Sequence, residues 1–215
     1  MVRHLFFLVI FSVISITGFS QTIKEVFSRN TTITWLGLDF SKIKLYGNFD
    51  QFSGAGEKTP EDLRDVYFKA WNDLIINEPK KFNLEKAFQK STVEWDLEYM
   101  EKRNFRTDAD GLMSKSSSST SISLSDIQEN INEYKLDGKT GIGLVFIMES
   151  FNKGRETATM HIVFFNMASK EVLLAEKVTG SPGGFGIRNY WAGSIYHVLK
   201  QLWKGKFNQW NAKYN

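Results

Sequence analysis

The 215-residue sequence contains no cysteine, only three prolines and only three histidines. The absence of cysteine excludes a disulfide framework, a zinc ribbon, a thiol nucleophile and a thioether-linked lipid anchor. The sequence also lacks the G-x-S-x-G, H-E-x-x-H and G-x-x-x-x-G-K-[ST] patterns of common enzyme classes. What is present, 42% hydrophobic residues with a net charge of +3, is typical of a folded globular chain and excludes a disordered one.

The first twenty residues have the pattern of a secretory signal peptide. Arg3 and His4 give a positive start, residues 5–16 are apolar and uncharged, and residues 17–20 read Thr-Gly-Phe-Ser. The apolar run is short for a membrane span, so an uncleaved anchor is the less favoured alternative. We expect residues 1–20 to be removed and residues 21–215 to form a single domain in the periplasm or outside the cell, with no transmembrane span. Export removes one arginine and no acidic residue, so the net charge falls from +3 to +2.

The mature chain alternates strand and helix signals. Residues 31–40 are rich in β-branched and aromatic side chains, which predicts a strand. Thr59-Pro60 then predicts a helix start, followed by an apolar stripe at helical spacing made of Leu63, Val66, Tyr67, Ala70, Trp71, Leu74 and Ile75. Residues 93–99 alternate apolar and acidic side chains, which predicts a half-buried strand. Ser125 and Gln128 have capping-box spacing, which predicts a short helix containing Ile127 and Ile131.

The second half of the chain predicts a buried strand, a hairpin and a closing helix. Residues 141–148 are almost uninterrupted apolar sequence, as in a central strand covered on both faces. Residues 157–167 and 171–178 predict a long hairpin, and the last helix follows a glycine-rich crossover at residues 180–186. The predicted fold class is α+β (mixed α/β), with a single mixed sheet of about five strands, helices packed against it, and a Ser-rich loop near residues 114–123.

The candidates for a ligand site are the glycine-rich crossover and the two histidines of the mature chain. Gly183, Gly184 and Gly186 allow conformations that other residues avoid, and Arg188 sits near the helix start, where an anion is favoured. His161 falls in a predicted strand and His197 on the last helix. A crossover that simply needs glycine, and histidines that simply pack, are the favoured alternatives.

Two further sets of residues have both a binding and a structural interpretation. The segment after Arg188 combines lysines with aromatic residues. Phe207, Trp210 and Tyr214, beyond the predicted helix end at Gly205, are equally compatible with a partner surface and with core packing. Asp108-Ala109-Asp110-Gly111 begins like a calcium loop but lacks its later ligands, which favours a hydrated turn. We predict no metal site, no cofactor and no catalytic residue.

Three successive segments carry a family resemblance: GIGLVFIMES, MHIVFFNMASKEVLLAEKVTG and SPGGFGIRNYWAGSIYHVLKQL. Their succession of strand, hairpin, crossover and helix resembles the fold shared by the curli-secretion lipoprotein, the penicillin-binding-protein activator lipoprotein and the amino-terminal domain of the Tol propeller protein. It is also similar to uncharacterised secreted families of Gram-negative bacteria. The resemblance implies a mixed α/β envelope domain that acts by binding other proteins. The chain lacks the lipid-bearing cysteine and the propeller, so the particular partners of those families are not implied.

The sequence therefore supports two functional hypotheses. The first is an exported, non-catalytic interaction or assembly domain of the cell envelope, with a protein partner and no nucleic acid. The alternative is a small anionic-ligand-binding protein or hydrolase, with its site at the loop of residues 183–188 together with His161 or His197.

Overall fold

The structure is a computed structural model, and it describes residues 21–47, 49, 58–114 and 121–215. The predicted signal peptide and most of the Ser-rich stretch lie outside the described residues. The strands are β1 (Ile33–Asp39), β2 (Lys44–Tyr46), β3 (Val93–Trp95), β4 (Met113–Ser114), β5 (Ile142–Asn152), β6 (Thr157–Asn166) and β7 (Val172–Gly180). The α-helices are α1 (Ile23–Phe27), α2 (Pro60–Asp62), α3 (Phe68–Asn77), α4 (Leu84–Ala87), α5 (Glu98–Phe105), α6 (Leu124–Asn132), α7 (Gly186–Gln201) and α8 (Phe207–Tyr214). A π-helical turn joins α2 to α3 (Leu63–Tyr67) and another joins α7 to α8 (Leu202–Lys206).

All seven strands belong to one sheet with β5 in the middle. Along one edge β5 pairs in parallel first with β1 and then with β2. These two strands in turn pair in parallel with β3 and β4. Along its other edge β5 pairs antiparallel with β6, and β6 pairs antiparallel with β7. The seven strands thus occupy five positions across the sheet, and the predicted mixed α/β class is confirmed.

The central position of β5 explains its composition. Each of its eleven residues is buried, because helices cover both faces of the sheet. On one face Phe146 packs in a cluster with Trp35 and Trp191 of α7, and on the other Val145 packs with Ile127 of α6. A strand covered on both faces has no polar side to show to water, which is why its sequence does not alternate.

The helix at Thr59 begins where the sequence predicts, but its buried face differs. The Asp62 N–H donates to Thr59 Oγ1 at 3.1 Å, and Pro60 occupies the first turn. The π-helical turn then spaces the buried residues Leu63 and Phe68 five positions apart. The extra residue turns Val66 outward to 56% exposure, so its predicted place in the apolar stripe is wrong.

Two predicted boundaries also change. The strand at residues 93–99 ends at Trp95, and Leu97 already has helical dihedral angles at the start of α5. The helix containing Ile127 and Ile131 is capped by Ser123 and Asp126 rather than by Ser125 and Gln128. In the second case the pair of Ser123 and Asp126 provides the cap, whereas no side chain caps the start of α5.

The last helix is broken at Gly205, where the sequence predicts a helix end, and this break decides where the last aromatic residues lie. Gly205 adopts φ 128° inside the second π-helical turn, which kinks the helix and sends α8 back onto the sheet. Phe207 and Trp210 are only 2% and 4% exposed. The partner-surface interpretation of Phe207 and Trp210 is therefore replaced by core packing. Tyr214 is half-buried against the same cluster, and its hydroxyl donates to Glu176 Oε1 at 2.9 Å.

Candidate functional site

The two candidate histidines lie on opposite faces of the sheet. His161 shares its face of β6 with Val163 and Phe165, under α5 and α6. His197 belongs to α7, whose buried residues pack on the other face. The structure does not bring them together, so a site that uses both is excluded.

His161 is part of a small group that we call the Glu149 cluster, in which Glu149 and His161 are buried and Lys177 is exposed. His161 Nε2 lies 2.9 Å from Glu149 Oε2, and Lys177 Nζ donates to Glu149 Oε1 at 2.7 Å. The Ile122 N–H also donates to Glu149 Oε2. Burial raises the pKa of Glu149, but these three hydrogen bonds outweigh burial and hold the pKa below its ordinary value. Both carboxylate oxygens are occupied, so the cluster ties the end of the Ser-rich connection to the sheet.

The glycine-rich crossover packs directly against the backbone of α7. A Cβ on Gly193 would lie 2.2 Å from the carbonyl oxygen of Gly183, and one on Gly180 would lie 2.1 Å from that of Ser194. Only glycine permits such an approach. Arg188 has an exposed side chain, and its carbonyl accepts a hydrogen bond from Trp71 Nε1 at 3.0 Å. The crossover therefore requires glycine at Gly180 and Gly193, whereas a Cβ on Gly183 would meet no atom within 4 Å.

A cleft of about 610 Å³ opens between this crossover and α7, and we call it the α7 cleft. It contains two of the six predicted ligand residues, Gly183 and His197, and leaves out Gly184, Gly186, Arg188 and His161. Its lining consists of Ser181, Pro182, Gly183, Gly193, Tyr196, His197, Lys200, Gln201 and Lys204. Lys200 and Lys204 were not among the predicted site residues, because basic residues late in a helix ordinarily complement its dipole.

A second cleft of about 670 Å³, the α5 cleft, lies between α5 and the connection from α6 to β5. Six cationic and four anionic side chains line it. Several of these form ion pairs with each other, such as Lys102 with Glu98 at 2.6 Å and Arg103 with Glu133 at 2.9 Å. Charges of both signs in one open groove cancel much of the attraction for a ligand of either sign.

Two lining residues of the α5 cleft, Ser41 and Arg103, belong to a hydrogen-bonded network that we call the Asp39 cluster: Asp39, Ser41, Arg103, Asn130 and Tyr134. Asp39 Oδ2 accepts from the Tyr134 hydroxyl at 2.6 Å, from Asn130 Nδ2 at 2.8 Å and from Arg103 Nε at 3.3 Å. Asp39 Oδ1 accepts from the Ser41 N–H at 2.8 Å. The carboxylate is fully buried at the end of β1, with each oxygen accepting at least one hydrogen bond.

The electrostatics of the Asp39 cluster follow from its burial. Burial, together with the negative charge of Asp39, raises the pKa of Tyr134 well above its ordinary value. Burial alone would lower the pKa of Arg103, but Asp39 and Glu133 outweigh it and raise that pKa. Tyr134 therefore stays a neutral donor and Arg103 a permanent cation, and neither can exchange a proton near neutral pH.

Sequence reasoning missed this cluster. Its members lie in or just after β1, in α5, and in or just after α6, and Asp39 and Tyr134 are 95 positions apart in the chain. The one signal was Asp39 itself, an acidic residue that directly follows the apolar run of β1. A carboxylate at the end of a buried strand needs partners, but the sequence does not name them.

The Asp108-Ala109-Asp110-Gly111 segment forms a turn. The Asp110 N–H donates to Asp108 Oδ1 at 3.1 Å, and Lys44 Nζ donates to the Gly111 carbonyl. No group of three or more histidine, aspartate or glutamate side chains suited to a metal ion occurs among the described residues. In the same part of the chain, no helix has the length and apolar character needed to cross a membrane.

The fold and its clefts define a mixed α/β protein with one five-position sheet, and comparisons with known proteins add little to that description. No protein-family model matches the chain, and no curated protein does. A solved structure with some likeness is that of a Xanthomonas campestris protein of the DUF330 family. The two sequences are 10% identical, the match covers 85% of this chain and 88% of that chain, and its TM-score is 0.29. A likeness at this TM-score carries no argument about fold or function.

Proposed function

We propose that this chain is an exported, non-catalytic domain that binds another protein of the cell envelope along the outer edge of β7. The observation that carries the proposal is the length of that edge. β7 has nine residues and pairs only with β6 among the described strands. An open strand edge is a ready template for a further strand.

The ends of this edge are closed and its middle is open. Gln128 Oε1 accepts from the Val172 N–H at 3.1 Å, and Gln201 Nε2 donates to the Thr179 carbonyl at 2.8 Å. Between these two residues, no described group outside β6 forms a hydrogen bond with the β7 backbone. Because the Thr179 carbonyl points outward, the two-residue alternation of a strand directs the backbone groups of Lys177 and Ala175 outward as well.

The opposite edge of the sheet is protected at β3. β3 has only three residues, its Glu94 is exposed, and Asp96, directly after the strand, forms an ion pair with Lys139. Further along β1, where β3 no longer pairs with it, two asparagine side chains bond its backbone. Asn72 Oδ1 accepts from the Leu38 N–H at 2.7 Å, and Asn104 Nδ2 donates to the Leu38 carbonyl at 2.8 Å. Short length, charge and side-chain caps all discourage strand addition there.

The non-catalytic part of the proposal has separate support. The two buried carboxylates among the described residues, Asp39 and Glu149, have internal partners on each oxygen, so neither is available as a general acid or base. The pattern of residues 1–20, and the resemblance of the strand, hairpin and closing helix to envelope domains that bind proteins, support the location and the kind of partner.

The test is a proline at position 175. Ala175→Pro removes an outward N–H and leaves the inward-pointing groups of Leu174 and Glu176 bonded to β6. A partner cross-linked to the exported protein in its own host is identified and purified, and its affinity is measured by calorimetry. We expect Ala175→Pro to weaken binding by about tenfold or more, since several backbone hydrogen bonds are lost. Glu94→Ala, at the opposite edge, is the matched control and should bind like the wild type.

Two results count against the proposal. One is unchanged affinity of the Ala175→Pro variant at an unchanged melting temperature, which places the partner on another surface. The other is self-association of the wild type that Ala175→Pro abolishes, which makes a second copy of this chain the occupant of the edge.

A further inference from the structure

The α7 cleft is built on one face of a helix. Its helical lining residues fall at positions 193, 196, 197, 200, 201 and 204. The intervals between them alternate between three residues and one, which places their side chains in a single stripe along α7 and the start of the Leu202–Lys206 turn. The opposite wall is the segment of residues 181–183. The cleft therefore has a rigid floor, and its chemistry is set by one run of side chains.

The side chains that line the α7 cleft include cationic residues and no anionic ones. Lys200 and Lys204 are exposed, and neither forms an ion pair with any described residue. They lie one helical turn apart, where like charges repel each other. No carboxylate lines the cleft. The arrangement is unfavourable by itself and becomes favourable when an anion lies between the two ammonium groups.

His197 adds an oriented donor. The Ser181 N–H donates to His197 Nδ1 at 2.9 Å. A ring nitrogen that accepts a hydrogen bond carries no proton, so the uncharged ring holds its proton on Nε2. The half-buried imidazole thus offers an N–H donor to the cleft that it lines.

The wall of the cleft is held in place before any ligand binds. The Gly183 N–H donates to the Tyr190 carbonyl at 2.9 Å, and the Gly183 carbonyl packs against Gly193, where no Cβ fits. A binding site that is already ordered loses little conformational entropy on binding.

We propose that the α7 cleft binds a phosphate group, carried either by a small soluble molecule or by a lipid headgroup. The choice among anions follows from the cations. Lysine acts as a point charge and suits a tetrahedral anion approached from several sides, whereas a planar carboxylate is matched best by the fork of an arginine. No arginine lines this cleft. This site meets the outer edge of β7 at Gln201, which lines the cleft and bonds the Thr179 carbonyl, but neither proposal depends on the other.

The test measures binding of inorganic phosphate to the mature protein by calorimetry at constant ionic strength. We expect saturable binding by the wild type and at least about tenfold weaker binding by Lys200→Ala/Lys204→Ala, because charge-assisted hydrogen bonds are lost. Lys42→Ala/Lys135→Ala, in the α5 cleft, makes the same change in net charge and is the matched control that should bind like the wild type. His197→Asn keeps an acceptor for the Ser181 N–H but removes the Nε2 donor, and it should also weaken binding.

Two further measurements distinguish the sources of the phosphate. Binding of glycerol 3-phosphate with no binding to phosphatidic acid vesicles indicates a soluble ligand. Binding to phosphatidic acid vesicles but not to phosphatidylcholine vesicles indicates a lipid, provided that Lys200→Ala/Lys204→Ala loses this vesicle binding. Absence of saturable phosphate binding by the wild type would overturn the proposal. So would an equal loss in the two double variants, because binding would then follow net charge alone.

Discussion

The Asp39 cluster and the α7 cleft are both rich in polar groups, and they differ in how those groups are satisfied. In the Asp39 cluster a fully buried carboxylate accepts hydrogen bonds on both oxygens from neighbouring elements. In the α7 cleft two exposed lysines have no acidic partner among the described residues. Satisfied buried charges hold elements together, whereas unsatisfied exposed charges are available to a ligand. The comparison assigns stability to the first region and binding to the second.

The largest effect on stability is expected for Asp39→Ala. The substitution leaves Arg103, Asn130 and Tyr134 without the carboxylate they share. Removing one partner of a buried charged network costs about 3–5 kcal/mol of unfolding free energy. Urea denaturation followed by circular dichroism measures this loss.

Tyr134→Phe is the graded control for the same cluster. It removes a single donor at 2.6 Å from Asp39 Oδ2 and should cost about 1–3 kcal/mol. If Asp39→Ala unfolds with wild-type stability, the Asp39 cluster is not a structural element and the contrast with the α7 cleft disappears.

An intermediate effect is expected at Glu149, and it depends on pH. The pKa of Glu149 is lowered in the folded protein from an ordinary value of 4.5. The carboxylate therefore stabilises the fold fully above pH 4.5, and this contribution is lost as the pH falls through the lowered pKa. Glu149→Gln, which faces the same His161 and Lys177, should be less stable by about 1–3 kcal/mol at pH 7.

The measurement for Glu149 is a pair of denaturation series from pH 7 to acid. The difference in unfolding free energy between wild type and Glu149→Gln should shrink as the pH falls below 4.5. A difference that stays constant across the series shows that the pKa of Glu149 is the same in the folded and unfolded protein.

The smallest effect on stability is expected for Lys200→Ala/Lys204→Ala. Exposed lysines without acidic partners contribute little to folding, and relief of their repulsion is worth a few tenths of a kcal/mol. The unfolding free energy should stay within about 0.5 kcal/mol of the wild type. A loss comparable to that of Asp39→Ala would make the two regions alike and remove the reason to assign binding to the α7 cleft.

The fold was predictable where local patterns and burial agree. The uninterrupted apolar run of β5 and the cap at Thr59 both appear in the structure as predicted. The misplaced Val66 shows the limit, because a periodicity analysis assumes one helical repeat and the π-helical turn changes that repeat inside the helix. The seven strands in five positions were equally hidden, since the break between β1 and β2 has no counterpart in the hydrophobic pattern.

The candidate sites were predictable only where the chain itself brings residues together. Gly183 and His197 meet because the crossover leads directly into α7. The Asp39 cluster assembles residues from three distant elements, and common residue types without local spacing leave no pattern to detect. Phe207 and Trp210 had two open interpretations because the kink at Gly205, which turns α8 onto the sheet, is a property of tertiary packing.

The π-helical turn at Leu63–Tyr67 has a consequence for chain length. The amide that follows it bonds five residues back, from Phe68 to Leu63. The turn thus holds one residue more than α-helical winding requires. A single deletion inside it would restore α-helical winding and leave the flanking buried residues in place, whereas a deletion within α3 would rotate everything after it by about 100°. Homologous chains that differ from this one by a single residue are expected to differ at this turn.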